Sequence, residues 1–369
     1  MPSTFLGLNT AYRGLVAANS GLNTTANNIS NIETEGYSRQ VVNQTAADAI
    51  RTYSTYGCVG TGVETLASER VRDQFYDTKY RNNASTLGEY DKKQYYASLI
   101  ENYLQDTKGS NAVQGFTTLF DKMDAAMDSL STHAGDSSYA LAYVGTAENL
   151  CEYFRLLYNN FQNMQTDIND EIKICVDQLN GISQQIASLN KEINVIESDG
   201  TSIANELRDK RDLLVDQLSE LIDVDVEETE ILSSSGLNTG LTNYVVKIAG
   251  GQNLVDGYDY RTLTCVPRDD YHKLNQNDAD GLYDIIWTDT EEDLGVYSSS
   301  TEGNIKGLIE MRDGNNNEAF NGKVSRIDTK AQTVEVEVTA DYLKDPTKCT
   351  LPLSNSVINV GGEDYVYTS

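Results

Sequence analysis

Residues 154–196 read FRLLYNNFQNMQTDINDEIKICVDQLNGISQQIASLNKEINVI, and their apolar spacing decides the architecture. Phe154, Leu157, Phe161, Met164 and Ile168 keep alternating steps of three and four. Ile172, Cys175, Leu179, Ile182, Ile186, Leu189, Ile193 and Ile196 resume the alternation after a second step of four. That spacing puts these side chains on one helical face and specifies a left-handed coil, locally unwound by the stutter at Ile168–Ile172. At 1.5 Å per residue the run spans about 65 Å, longer than a compact domain requires. Glu197-Ser198-Asp199-Gly200 then turns the chain, and Ile203, Leu207, Leu214, Leu218 and Leu221 return on a second amphipathic helix. Two long apolar stripes joined by so short a turn pair antiparallel. The expected fold is α+β, mainly α: an elongated helical bundle with a long antiparallel coiled-coil hairpin and small β-rich outer domains.

Upstream, Arg70–Gln105 reads as a long polar helix that Lys108-Gly109-Ser110 ends. From Ala112 to about Ser131, Phe116, Leu119, Phe120, Met123 and Met127 share one helical face. Downstream of Asp223 the period changes. Residues 224–226, 244–248 and 284–287 are β-prone runs separated by Ser, Gly and Asn clusters. Ile305, Leu308 and Ile309 then share a helical face that Asp313-Gly314 terminates. Val334, Val336 and Val338 alternate with polar residues, and Val357–Val360 and Tyr365–Tyr367 flank Gly361-Gly362 as a hairpin.

The N-terminal stretch carries a different signal. Leu8, Tyr12, Leu15, Asn19, Leu22, Ala26 and Ile29 form a heptad seam with a polar break at Asn19, a position of the kind that fixes register. A lone helix of about 25 residues with so thin a stripe is marginal in water and needs a partner helix. Charge divides at the same place. Up to Gly57, Arg13, Arg39 and Arg51 balance Glu33, Glu35 and Asp48, so the net charge of −28 lies wholly beyond it. A neutral segment on a strongly acidic body suggests one part packed against protein and another in solvent. The acidic balance also argues against nucleic-acid and anionic-membrane partners, which need clustered Lys and Arg.

Catalytic and metal-binding patterns are scarce. No GxSxG elbow, Walker loop or HExxH occurs, and the two histidines, His133 and His272, are far apart. Cys58, Cys151, Cys175, Cys265 and Cys349 make no CxxC pair and read as small buried hydrophobes. Residues 276–281 imitate the start of a calcium loop but lack its first and twelfth ligands, so they read as a solvated turn. We therefore expect no enzyme, no cofactor and no metal. No run of 18 apolar residues is present to cross a bilayer, and the N-terminal residues MPSTFLGLNTAYRG do not read as a basic-then-apolar leader, so no cleaved secretory signal is expected.

Asn27, Asn28, Ile29, Asn31, Gly36, Tyr37, Ser38, Arg39 and Gln40 lie in ANNISNIETEGYSRQ, residues 26–40, which resembles the N-terminal signature of bacterial flagellar axial proteins. The asparagines offer side-chain bonds to backbone, and Gly36 supplies the freedom for a tight turn. Residues 69–75 (ERVRDQF), 205–214 (NELRDKRDLL) and 303–313 (GNIKGLIEMRD) are similar to further stretches of the FlgK family within that group. The resemblance implies a structural subunit at the hook–filament junction, exported without a cleaved signal to the extracellular flagellum. It implies self-association in a ring and contact with hook protein and the next hook-associated protein. It also implies handling by the flagellar export apparatus and a chaperone.

The corresponding organisation is an axial-core helix and signature segment over 1–57 and an elongated helical domain over 58–230. A small β-rich domain follows over 231–300, then a return helix over 301–322 and the start of an inserted β-rich domain over 323–369. The family's proline before the signature glycine is Glu35 here. The family's C-terminal helix, which pairs with the N-terminal one, has no counterpart, so the resemblance implies a truncated chain. A hook or distal-rod protein would share the signature but has shorter helical portions. An extracellular coiled-coil adhesin is the alternative from another class.

Overall fold

The computed structural model describes residues 5–51, 57–106, 115–200, 202–233, 236, 238–268, 278–296 and 301–314, and four later strands as backbone. In chain order the first elements are α1 (Leu6–Ser30), β1 (Gln40–Ala46), β2 (Ile50–Arg51), β3 (Cys58–Val59) and β4 (Val63–Arg70). Next come α2 (Gln74–Tyr103), α3 (Phe116–Thr132), α4 (Ser137–Glu197) and α5 (Asn205–Leu221). The strands β5 (Val224–Leu232), β6 (Asn238–Ile248), β7 (Gln252–Asp256), β8 (Asp259–Tyr260), β9 (Leu263–Pro267) and β10 (Tyr283–Trp287) follow. After α6 (Asn304–Asp313) come β11 (Gly322–Asp328), β12 (Thr333–Val338), β13 (Val357–Val360) and β14 (Glu363–Val366). This is a mixed α+β fold of long helices and small antiparallel sheets. It forms two compact units, one of residues 1–85 with 178–262 and one of 86–177 with 263–369, so α2 and α4 contribute to both.

In the first unit β1 and β4 pair antiparallel from Gln40↔Arg70 to Ala46↔Val63, and β5-β6-β7-β8 form a four-stranded meander. Leu179, Ile186 and Ile193 of α4, Val215 and Leu218 of α5, and Val246, Leu254 and Val255 of the sheet are fully buried. Each such side chain contributes about 1.5–3 kcal/mol on burial. Polar residues on the buried face of α4 bind strand and turn backbone. Asn194 accepts from the Thr242 N–H at 3.0 Å and donates to its carbonyl at 2.8 Å, and Asn190 donates to Gly257 O at 2.7 Å.

In the second unit β9 and β10 pair from Leu263↔Trp287 to Pro267↔Tyr283. Ile168 and Ile172 of α4, Trp287 and Ile285 of β10, and Ile305, Leu308 and Ile309 of α6 are buried there. A Cβ on Gly307 would stand 2.5 Å from the Glu89 carbonyl oxygen, so only glycine lets α6 approach α2 this closely. Arg312 and Arg268 both grip the buried Asp313 carboxylate, at 2.8 and 2.9 Å and at 3.3 and 3.2 Å. Burial alone would raise that carboxyl, but the two guanidiniums outweigh it and hold it below its ordinary value. At the start of α3 the cap comes from Asp106, which accepts from Thr118 Oγ1 and the Thr117, Thr118 and Gly115 amides. Those bonds lower its carboxyl to about 2. β13 and β14 pair antiparallel at the expected hairpin.

Several expectations need correction. α4 begins at Ser137, not near Phe154, capped by Asp136 accepting from the Ser138 N–H at 2.9 Å. Leu141 is 72% exposed, so the first turns carry no buried stripe to reveal them. The buried face of α4 also leaves the heptad seam. Ile182 and Leu189 are half-buried and Ile196 is exposed, whereas Ser183, Asn190, Asn194 and Glu197, one residue on, are buried. A helix of 3.6 residues per turn drifts from a 3.5-residue seam, and here strand and loop backbone cover the drifted face. The β1–β4 pairing was not foreseen. Cys58 and Cys151 are exposed rather than buried, and Cys349 and His272 lie outside the described residues. Residues 276 and 277 of the calcium-like stretch also lie outside them, while Asp278 accepts from Gln165 Nε2 at 2.9 Å.

Candidate interaction surface

α1 has two faces of different chemistry. Its inner face rests on β1 and β4 through small and polar residues. Ala17 is buried there, Gln44 Nε2 donates to the Ala17 carbonyl at 3.1 Å, and Arg13 pairs with Glu64 at 2.9 Å. The outer face carries the seam. Leu8, Tyr12, Leu15, Leu22 and Ile29 are 63 to 68% exposed, and Asn19 and Ala26 between them are also exposed. Arg13 is the only charged residue in α1, so nothing on this stripe repels an apolar partner electrostatically. The large apolar side chains on this face are aligned along the helix rather than scattered, with Asn19 the polar break between them.

The chain leaving α1 is tied back tightly. Asn31 ends the helix, donating from Nδ2 to Asn27 O at 3.0 Å and to Asn27 Oδ1 at 2.8 Å. Gly36 turns the chain at φ +75, in the left-handed region that disfavours a side chain. The Asn28 carboxamide then receives three bonds' worth of chain. Its Oδ1 accepts from the Gln40 N–H and the Tyr37 hydroxyl, both at 2.9 Å, and its Nδ2 donates to Gln40 O at 2.9 Å.

This turn sits on α5. Ser38 N–H donates to Asp209 Oδ2 at 3.1 Å, and Gln40 Nε2 donates to Glu206 Oε1 at 3.2 Å. Asp209, Asp212 and Asp216 line one face of α5 at spacings of three and four. Arg70 meets Asp209 at 2.8 Å and Asp212 at 2.7 Å, Arg72 meets Asp216 at 3.4 Å and Asp77 at 2.7 Å, and Arg81 meets Asp216 at 2.8 Å. Burial alone would lower the Arg72 guanidinium, but Asp77, Asp212 and Asp216 hold it above its ordinary value. Paired buried charges of this type add little net stability, but they fix geometry, because removing one partner strands the other.

The sequence-derived residues therefore divide in two. Asn27, Asn28, Asn31, Gly36, Tyr37, Ser38 and Gln40 gather at this joint, and the seam residues face outward with Arg39 exposed. Three of the quoted stretches, 26–40, 69–75 and 205–214, converge here. The acidic ladder on α5 and its arginine partners were not singled out from sequence. Its signal was legible: aspartates at 209, 212 and 216 on one helical face, with arginines at 70 and 72 to answer them.

A family model described as the flagellar hook-associated protein FlgK helical domain matches residues 97–338. One described as the flagella basal body rod protein matches residues 8–37. The flagellar hook-associated protein 1 of Bacillus subtilis (strain 168) is 31% identical over 323 residues, covering 84% of this chain and 60% of that protein. Its counterpart of Escherichia coli (strain K12) is 31% identical over 261 residues, covering 70% and 45%. The flagellar hook junction protein FlgK from Burkholderia pseudomallei has a solved structure that overlaps at a TM-score of 0.48 and 22% identity, covering 66% of this chain and 39% of that one. The chain thus spans about half the length of the curated relatives it matches.

Proposed function

The chain belongs to the flagellar hook-associated protein 1 family of structural flagellar axial proteins, and from that premise we propose that it is a subunit of the hook–filament junction that assembles through α1. The observation that carries this reading is the exposed stripe of Leu8, Tyr12, Leu15, Leu22 and Ile29 on a helix docked by its opposite, polar face. Burying each of these large side chains would contribute about 1.5–3 kcal/mol, enough in sum to drive association of a ring. Residues 1–57 act as the assembly segment, and the ionic joint with α5 sets the angle at which it leaves the helical body. The α4–α5 pair serves as a coiled-coil-like hairpin stiffening that body. Neighbouring copies, hook protein and the next hook-associated protein are its partners. The subunit reaches the cell exterior through the flagellar export apparatus, chaperoned and without a cleaved leader. No membrane-spanning helix occurs among the described residues.

The test is made in the producing bacterium with the full-length protein. Leu15→Asp combined with Leu22→Asp should leave export intact yet remove the protein from the junction, with filaments lost and motility abolished. Normal filaments on the double variant would overturn the reading. Immunogold label confined to a band between hook and filament supports it, and label along the hook would transfer the protein to the hook class.

A further inference from the structure

We propose that the exposed stripe of α1 packs antiparallel on a second exposed stripe, along α2 of a neighbouring copy. The inference rests on the reading of α1 as an assembly helix and names what that helix meets. Along α2, Tyr76, Tyr80, Asn83, Leu87, Tyr90 and Gln94 step by four and three alternately and are all exposed. The large side chains among them are 56 to 67% exposed. Arg81, Ser85 and Tyr96 are buried on the opposite face of the same continuous helix, so this stripe is surplus to the helix's own packing. A 3-4 spacing sustained over this length is the seam of a helix pair. Both stripes are exposed within one chain, so a pairing between them joins two chains.

The steps select the direction and the register. From Asn19 the α1 seam steps back by four, three and four to Leu15, Tyr12 and Leu8, and forward by three and four to Leu22 and Ala26. From Asn83 the α2 seam steps forward by four, three and four to Leu87, Tyr90 and Gln94, and back by three and four to Tyr80 and Tyr76. With the asparagines level, the two series coincide only if the helices run in opposite directions. Leu15 then meets Leu87, Tyr12 meets Tyr90, Leu22 meets Tyr80, and the small Ala26 meets the large Tyr76.

The one polar residue inside each seam thus faces the other, and two carboxamides satisfy each other's donors and acceptors. An antiparallel pair of two α1 helices would instead bury Asn19 against leucine or isoleucine in every register, leaving its amide unpaired. Charge agrees with the choice of partner. Arg13, the only charged residue of α1, is engaged with Glu64 on the inner face, so the acidic body of a neighbour meets a neutral helix. Because the two stripes differ, the contact is head-to-tail and repeats from copy to copy, as a ring or helical array requires. A two-fold pair of α1 helices would stop at two chains.

The test uses the full-length protein with Cys58→Ser and Cys151→Ser, which removes the exposed thiols among the described residues. A chain carrying Asn19→Cys is mixed with one carrying Asn83→Cys, so any 19–83 bridge made by a short bismaleimide joins two chains. Bridging is expected there and between Leu8→Cys and Gln94→Cys. It is not expected between Asn19→Cys and Gln94→Cys, which stand about 16 Å apart along the axis. Leu87→Asp, at an exposed position, should leave circular dichroism unchanged and weaken association in sedimentation velocity about tenfold or more. Chains that associate without the 19–83 bridge, or bridge Asn19→Cys equally to Gln94→Cys, would overturn the inference. So would association undiminished by Leu87→Asp, chains that stay monomeric up to about 1 mM, or a predominant bridge between two Asn19→Cys chains, which assigns a parallel α1 pair. The Leu15→Asp, Leu22→Asp variant in the bacterium does not depend on what α1 meets. If that variant is lost from the junction and the 19–83 bridge is absent, α1 remains the assembly helix and only α2 is removed as its partner.

Discussion

Asn28 and Gln40 exchange two hydrogen bonds, the side chain of one meeting both backbone groups of the other at 2.9 Å each. A carboxamide on α1 thereby completes the end of strand β1 as a neighbouring peptide would. Asn194 treats Thr242 in the same way, and Asn169 accepts from the Tyr283 N–H at 2.7 Å. In each case a helix reaches strand backbone through asparagine instead of through apolar packing.

Asn28→Ala should therefore release the Gln40 N–H and carbonyl and the Tyr37 hydroxyl together. Each buried group left unpaired costs about 1–3 kcal/mol. Amide exchange at Gln40 should accelerate by at least about tenfold. Asn28→Asp keeps the acceptor for the Gln40 N–H but sets a carboxylate oxygen against the Gln40 carbonyl, so the Gln40 amide itself should exchange more slowly than in the alanine variant. Unchanged exchange in the alanine variant would show that α1 is held by other contacts.

The asparagines also explain what was legible in the sequence and what was not. Periodicity located α1, α4, α5 and α6 because their apolar side chains repeat with the helix. It failed where buried positions are polar: Asn190, Asn194 and Glu197 sit under strand and loop backbone and break a hydrophobic seam that an aliphatic partner would have preserved. The β1–β4 pairing escaped because its burial is weak, with only Gln40 of β1 buried. On the surface side, the seam from Leu8 to Ile29 reads as a stripe, but sequence alone could not say that it lies exposed, opposite the face that rests on β1 and β4. The joint on α5 is built from stretches far apart in the chain, and only folding brings Ser38 to Asp209 across 171 positions.

Gly36 gives a sharper test of the turn. Its φ of +75 disfavours any L side chain by about 1–2 kcal/mol. An added Cβ would also lie 3.0 Å from Leu213 Cβ. Gly36→Ala should lower the denaturation midpoint of the first unit. Gly14→Ala, inside α1 with nothing within 4 Å of the new Cβ, should instead favour the helix by about 1 kcal/mol. Shifts of the same sign in both variants would contradict the assigned conformations.

Removal of Asp212 should be the most damaging single change at the joint. Its carboxylate meets Arg70 at 2.7 Å and stands 3.6 and 3.7 Å from Arg72 and Arg81. Asp212→Asn leaves three guanidiniums with too little negative charge, and breaking a buried pair in this way costs about 3–5 kcal/mol. Limited proteolysis after Arg70 and Arg72 should then accelerate. Arg13→Ala, which deletes a largely exposed pair with Glu64, should cost under about 1 kcal/mol.

Acid should weaken the fold through a small set of carboxylates. Glu197 accepts from Arg208 at 2.8 and 2.7 Å and from the Ala204 N–H at 2.9 Å. Burial opposes its ionisation, but these partners hold its carboxyl below the ordinary value. Asp313 is lowered in the same sense. A carboxyl depressed in the folded state binds protons more readily once unfolded, so acid favours unfolding. Its contribution is complete above the unfolded value of about 4 and is lost as pH falls through the lower folded value. Melting temperature should therefore stay level from pH 7 to about 5 and drop steeply below about 4. Glu197→Gln removes one of these protonation sites. The variant should melt lower at pH 7 yet lose less on acidification, so the two curves converge as the carboxyl protonates. Parallel curves across the acid range would show that Glu197 carries no share of the response.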